Sequence, residues 1–269
     1  MKKIGSVIAV FSGIMAILLF IMGCSSFTGA ILGGVESGVS RAAEESVEQA
    51  IYSRLAPKEQ TPPPKTSNWN QFMVTQAQIV FSYSFSAGGL WVGSVGYMPG
   101  EWTKFKWEPE GDPPVIMEKA FLKRLDDGNE WWRVSWSDKD VEWIYEALLS
   151  PTEEKLLRLR AKDADGNEGE IPVTADTPTI YNVPAELTKE SIEGATVGKE
   201  TITTPAGTFN TDHIKYLAVT GEGEIEWWAT PEVPGGVVKY LFRDKEEGVI
   251  WTSILNEKGS EATTILGSY

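Results

Sequence analysis

The spacing of hydrophobic positions changes character along this chain. Ile4 to Met22 is a mostly apolar run without a single charge. At about 20 residues it has the length of a membrane span or of the apolar core of an export signal. Ile31/Leu32, Val35, Val39, Ala42/Ala43, Val47, Ala50/Ile51 and Leu55 then recur every three to four residues, with Glu and Arg on the other face. This spacing predicts an amphipathic helix. Its firm part is 40–55, because Gly29, Gly33, Gly34 and Gly38 weaken the first half. Residues 57–68 contain Pro62, Pro63 and Pro64 in succession and read as a stiff, extended linker.

From Trp69 onward the period becomes two. Phe81, Tyr83 and Phe85 alternate with serines, Trp132, Val134 and Trp136 with Arg133 and Ser135, and Leu157, Leu159 and Ala161 with Arg158 and Arg160. Strands of this kind bury one side only, as antiparallel sheets do. Asp126-Asp127-Gly128-Asn129, Asp165-Gly166-Asn167 and Pro234-Gly235-Gly236 supply turn chemistry between them. The pattern predicts a mainly β body over 69–269 with roughly eleven or twelve strands. Residues 172–183 read as irregular chain dividing one sheet into two parts. A short helix is predicted over 185–192, whereas 141–149 fits a helix or a strand equally.

The only cysteine, Cys24, follows Ile21-Met22-Gly23 directly after the apolar run. This ending resembles the lipobox of bacterial lipoproteins. The resemblance implies a signal peptide over 1–23 and a diacylglycerol on Cys24 Sγ, with an N-acyl chain on the freed amine. Residues 24–56 then form a lipidated tether. Ser25 and Ser26, with no Asp, resemble an outer-membrane address on the periplasmic face or the cell surface. Acylation also removes a lone thiol from an oxidising compartment. Removal of Lys2 and Lys3 with the signal leaves 22 basic against 38 acidic residues, a net charge of −16. Such acidity argues against nucleic acid and against a basic membrane-docking patch.

Catalytic chemistry finds little to work with. His213 is the single histidine, and no Gly-x-Ser-x-Gly elbow is present. It sits in a strand-like run and reads as a solvent-facing or edge side chain. Clustered Cys/His zinc ligands are excluded by count. The run Asp163-Ala164-Asp165-Gly166-Asn167-Glu168 has its glycine and its terminal acid misplaced for a calcium loop, and reads as a hairpin turn. No cofactor is expected beyond the acyl groups, and the chain reads as non-enzymatic. Eleven tryptophans are the compositional excess. In Trp131-Trp132 and Trp227-Trp228, neighbours on a strand point to opposite faces. One of each pair therefore needs a second covering layer, or lines a ligand surface.

The C-terminal half carries Thr204-Pro205-Ala206-Gly207-Thr208-Phe209, then Glu226-Trp227-Trp228, then Val233-Pro234-Gly235-Gly236-Val237-Val238-Lys239. These hairpins resemble envelope proteins of the lipoprotein-localisation (Lol-type) half-barrel superfamily. The resemblance implies a single curved antiparallel sheet with helices plugging its concave side, and for some members an acylated or lipid cargo. It transfers no binding residue. Trp132, Trp228, Trp91 and Trp136 are the candidate contact residues for an apolar ligand or an acylated client. The alternative is an assembly subunit that docks onto another envelope protein through its helix and tryptophans.

Overall fold

The computed structural model describes residues 67–269, apart from 88–89, 92–95, 110, 112, 139–140, 175–176, 178–188, 218–222 and 245–247. The predicted signal, Cys24, the helix over 40–55 and most of the linker lie outside the described residues. Helix α1 (Ser67–Phe85) leads into two short paired strands, β1 (Ser86–Ala87) and β2 (Leu90–Trp91). The first half of the main sheet is β3 (Trp102–Pro109), β4 (Val115–Arg124), β5 (Glu130–Ser137), β6 (Glu142–Ser150), β7 (Lys155–Lys162) and β8 (Glu168–Ile171). After helix α2 (Lys189–Ala195) come β9 (Thr196–Thr204), β10 (Gly207–Leu217), β11 (Gly223–Ala229), β12 (Val237–Asp244) and β13 (Gly248–Gly259).

Each half is a meander of hairpins, and β3 pairs with β13 to join them. The order is β8-β7-β6-β5-β4-β3-β13-β12-β11-β10-β9, antiparallel throughout. The sheet is not closed, since β8 and β9 end it, and it forms a curved half-barrel. Its curl is tightest in the second half: β9 and β13 approach within 8 Å although three strands separate them in the sheet. Bulges at His213/Ile214, Trp228/Ala229 and Phe242/Arg243 accompany that curl, as an extra residue bends its strand. The predicted turns fall in place. Gly128 and Gly166 take positive φ between β4 and β5 and between β7 and β8, and Pro205-Ala206 joins β9 to β10.

Two expectations change. The Phe81/Tyr83/Phe85 alternation belongs to α1, not to a strand, and the last residues assigned to the linker, 67–68, are helical. Trp69, Met73, Ala77, Val80, Phe81 and Phe85 form a stripe at steps of three or four, all buried. That longer repeat wins over the local period of two, because a helix satisfies its own backbone while laying one face on the sheet. The short helix is seen over Lys189–Ala195, past its predicted end at 192, while 185–188 lie outside the described residues, and the ambiguous segment is the strand β6.

Both faces of the first half of the sheet are covered. Trp132, Val134, Tyr145 and Ala147 point towards α1 and are fully buried. Trp131, facing the other way, is sealed by the C-terminal strap, residues 260–269: Tyr269 packs at 5.9 Å, with Leu148 and Leu157 alongside. The strap is fixed by a buried carboxylate. Glu146 accepts hydrogen bonds from the Ile265 and Leu266 amides at 2.7 and 3.4 Å and from the Thr264 and Ser268 hydroxyls. Arg133 reinforces it, donating to the Thr263 carbonyl at 2.6 Å while pairing with Glu118 at 2.8 Å.

Glu146→Ala therefore lowers the unfolding free energy by about 3 kcal/mol in urea titrations, since four donors lose a buried acceptor. Exposed Asp126→Ala shifts it by less than about 0.5 kcal/mol. Equal effects from the two would show that the strap is not held through Glu146.

Candidate functional site

The face under α1 is built almost wholly of rings. Trp132 stacks on Phe121 at 4.6 Å and meets Phe85 of α1 edge-on at 4.9 Å and Tyr97 at 5.4 Å. Its indole N–H donates to Glu130 at 2.9 Å, and Arg124 holds the other oxygen of that carboxylate at 2.8 Å. A second chain of rings crosses the junction of the two half-sheets. Tyr240 stacks on Trp251 at 4.4 Å, Trp251 on Trp107 at 4.8 Å, and Trp107 meets Tyr83 of α1 at 5.4 Å. The indole N–H groups of Trp107 and Trp251 are buried without an acceptor among the described residues. An unmade buried hydrogen bond costs about 1–3 kcal/mol.

Between these ring clusters lies a cavity of about 50 Å³, lined among others by Tyr97, Thr103, Trp107, Lys119, Gly235 and Tyr240. Lys119 is its one cationic lining residue among the described residues. It stands on β4 in line with Met117 and Phe121, facing α1, and is 6% exposed. The rings of Tyr97 and Phe85 lie 4.7 and 4.8 Å from Nζ, with Trp132 at 5.8 Å. Among the described residues no carboxylate pairs with it, and burial alone lowers its pKa to about 7. Burial likewise pushes the Tyr83, Tyr97 and Tyr240 hydroxyls up, so they stay neutral donors throughout the physiological range. Tyr97 is oriented by a 2.6 Å hydrogen bond with Thr103 and by its close approach to Gly235, where a Cβ would sit 2.5 Å from the ring. Gly235 thus makes room for one wall of the cavity.

The residues singled out from the sequence disperse. Trp132 and Trp136 lie within the core under α1, 0% and 4% exposed, and neither indole is open to solvent. Trp91 sits in β2 opposite Ser86, in the separate two-stranded sheet, and its side chain is not among what is described. Trp228 is on the face of β11 opposite Trp227. There it donates to Glu200 at 2.8 Å beneath His213, stacked at 4.4 Å, and Lys239 at 4.4 Å. Trp227 instead joins Ile214, Tyr240, Phe242 and Trp251. His213 is more engaged than an edge residue: its Nδ1 lies 2.8 Å from Glu200 and its Nε2 2.7 Å from Glu226. The Asp163 segment is the β7–β8 turn. Its carboxylate takes the Asp165 and Asn167 amides and the Trp69 indole, the last at 2.8 Å, so it ties α1 to the sheet. Lys119 was missed in the sequence, although Val115, Met117 and Phe121 at its spacing mark a lysine on an apolar face.

Lys119 also sets a pH dependence. A group with a folded pKa near 7 and an unfolded value of 10.5 destabilises the fold fully below pH 7. The penalty is relieved as pH rises from about 7 towards 10.5, where the unfolded chain holds the extra proton. In ligand-free protein, Lys119→Met accordingly raises the melting temperature more at pH 6 than at pH 9.5. A gain of equal size at both values would contradict a buried, unpaired ammonium.

No family model matches the chain, and no curated relative matches it. Among solved structures it is similar to a candidate lipoprotein from Parabacteroides distasonis, at 12% identity over 60% of this chain and 96% of that one, with a TM-score of 0.32. A candidate exported protein with a YmcC-like fold from Bacteroides fragilis gives 12% identity, coverages of 61% and 97%, and a TM-score of 0.35. The MucA/MucB complex structure of Pseudomonas aeruginosa gives 9% identity, 70% of this chain and a TM-score of 0.41. In that comparison the chain spans 58% of the other's length. All three likenesses are distant.

Proposed function

We propose that this chain is a non-catalytic lipoprotein of the cell envelope whose half-barrel holds an apolar ligand or an acylated client. One observation carries the reading: the ring-lined face is covered by the chain's own helix, whose buried stripe of Trp69, Met73, Val80, Phe81 and Phe85 is itself a long apolar body. Hydrophobic contact is non-directional, so a surface that accepts such a stripe accepts an acyl chain of similar girth. The remaining cavity, about 50 Å³, is far below the roughly 300–1,000 Å³ of a drug-sized site. Loading therefore requires α1 to yield part of the face. The lipobox resemblance at Cys24 supplies the anchor, and Ser25-Ser26 favour the outer membrane.

A second reading, docking onto another envelope protein, draws on β9. It ends the sheet, is nine residues long, is mostly exposed, and among the described residues pairs only with β10. Such an edge accepts an added strand through its backbone.

Native mass spectrometry of a form starting at Ser25, followed by lipid extraction, separates the readings. Holding predicts acyl-chain adducts released by solvent. A form that stays empty when offered acyl lipids, but gains the mass of one protein partner, supports docking and contradicts holding. For the anchor, Cys24→Ala abolishes incorporation of labelled acyl chains and membrane partitioning. Unchanged partitioning would make the leading run a permanent span.

A further inference from the structure

We propose that the cavity beside Lys119 receives the oxyanion head group of a single-chain amphiphile, with the acyl chain laid along the ring-lined face. This deepens the holding reading and rests on it. Lys119 is the reason. Burying an ammonium is costly, and fold stability gains nothing from this one that a methionine would not give. Three ring faces lie against its ammonium, and rings attract a cation but accept no hydrogen bond in the manner of a carboxylate. Trp107 lines the same cavity, and its buried indole N–H has no acceptor among the described residues. The residues that carry these two donors, one of them cationic, both line a space of about 50 Å³. At roughly 10–15 Å³ of such volume per water, this admits a group of a few heavy atoms and excludes a bulky head. Carboxylate and phosphate monoester share the required chemistry: acceptor oxygens with negative charge. The ring walls of Tyr97, Trp107 and Tyr240 lower the local dielectric and strengthen that contact.

The test uses the soluble form starting at Ser25 with dodecanoate, dodecyl phosphate and dodecanol, followed by calorimetry at pH 7. The expected result is that wild type binds at least one of the two anions about ten-fold or more tighter than dodecanol, consistent with one charge-assisted hydrogen bond. Whichever anion leads identifies the head group. Lys119→Met removes the preference, so that within the variant neither anion binds tighter than dodecanol, a loss of selectivity that a purely structural lysine would not produce. Equal affinity of wild type for anions and alcohol overturns the head-group assignment while leaving the holding function intact. An anion preference that survives in Lys119→Met also overturns it. Failure of all three amphiphiles to bind overturns both.

Discussion

An open sheet of this length has two apolar faces and few other elements with which to bury them. Helix packing on one face and a terminal strap on the other solve this for the first half-sheet, and the placement of every functional candidate follows. The pair Trp131-Trp132 shows the constraint at its sharpest. Adjacent on one strand, they must face opposite ways, and each is under 3% exposed because a different segment covers it. The two covers are held differently. Glu146 and Arg133 fasten the strap by directed hydrogen bonds. Among the described residues helix α1 has three side-chain hydrogen bonds to the sheet, Trp69 to Asp163 at 2.8 Å, Gln76 with Tyr145 at 2.7 Å and Ser84 to the Met117 sulfur at 2.9 Å. The last has only a thioether, a weak acceptor, at its far end, so the C-terminal third, from Val80 to Phe85, lies on rings chiefly by apolar contact.

This asymmetry locates the site. Directed bonds specify one partner, whereas apolar contact accepts any body of suitable shape. The cavity and Lys119 lie beneath the loosely specified end of α1, near Tyr83 and Phe85. The buried lysine and the unmatched indole donors are local violations of the rule that buried polar groups find partners. Such violations collect where a protein binds something.

Much of the architecture was legible from the chain. Period-two runs located β5 and β7, and glycine and proline turns marked hairpins, including β9–β10 and β11–β12 in the C-terminal half. The helix at 67–85 was not, because Phe81-Ser82-Tyr83-Ser84-Phe85 satisfies a strand's period and the stripe reaching back to Trp69 settles the matter only over a longer window. Tryptophans were read as contact candidates for their size, yet size alone does not separate core from site. Trp132 is core because α1 lies over it, and no spacing in the sequence announces which segment covers a face. The lysine among apolar alternates on β4 was the more informative irregularity. His213 lacked sequence neighbours to reveal its partners, since Glu200 and Glu226 reach it through strand pairing.

The central claim is that α1 occupies the binding face as a stand-in for the ligand. Amide hydrogen exchange of the form starting at Ser25, with and without saturating dodecanoate, tests this most directly. The account predicts faster exchange across residues 80–85 in the bound state, with β4, β5 and β6 unchanged. Bound ligand that leaves 80–85 as protected as before, or more protected, would contradict it.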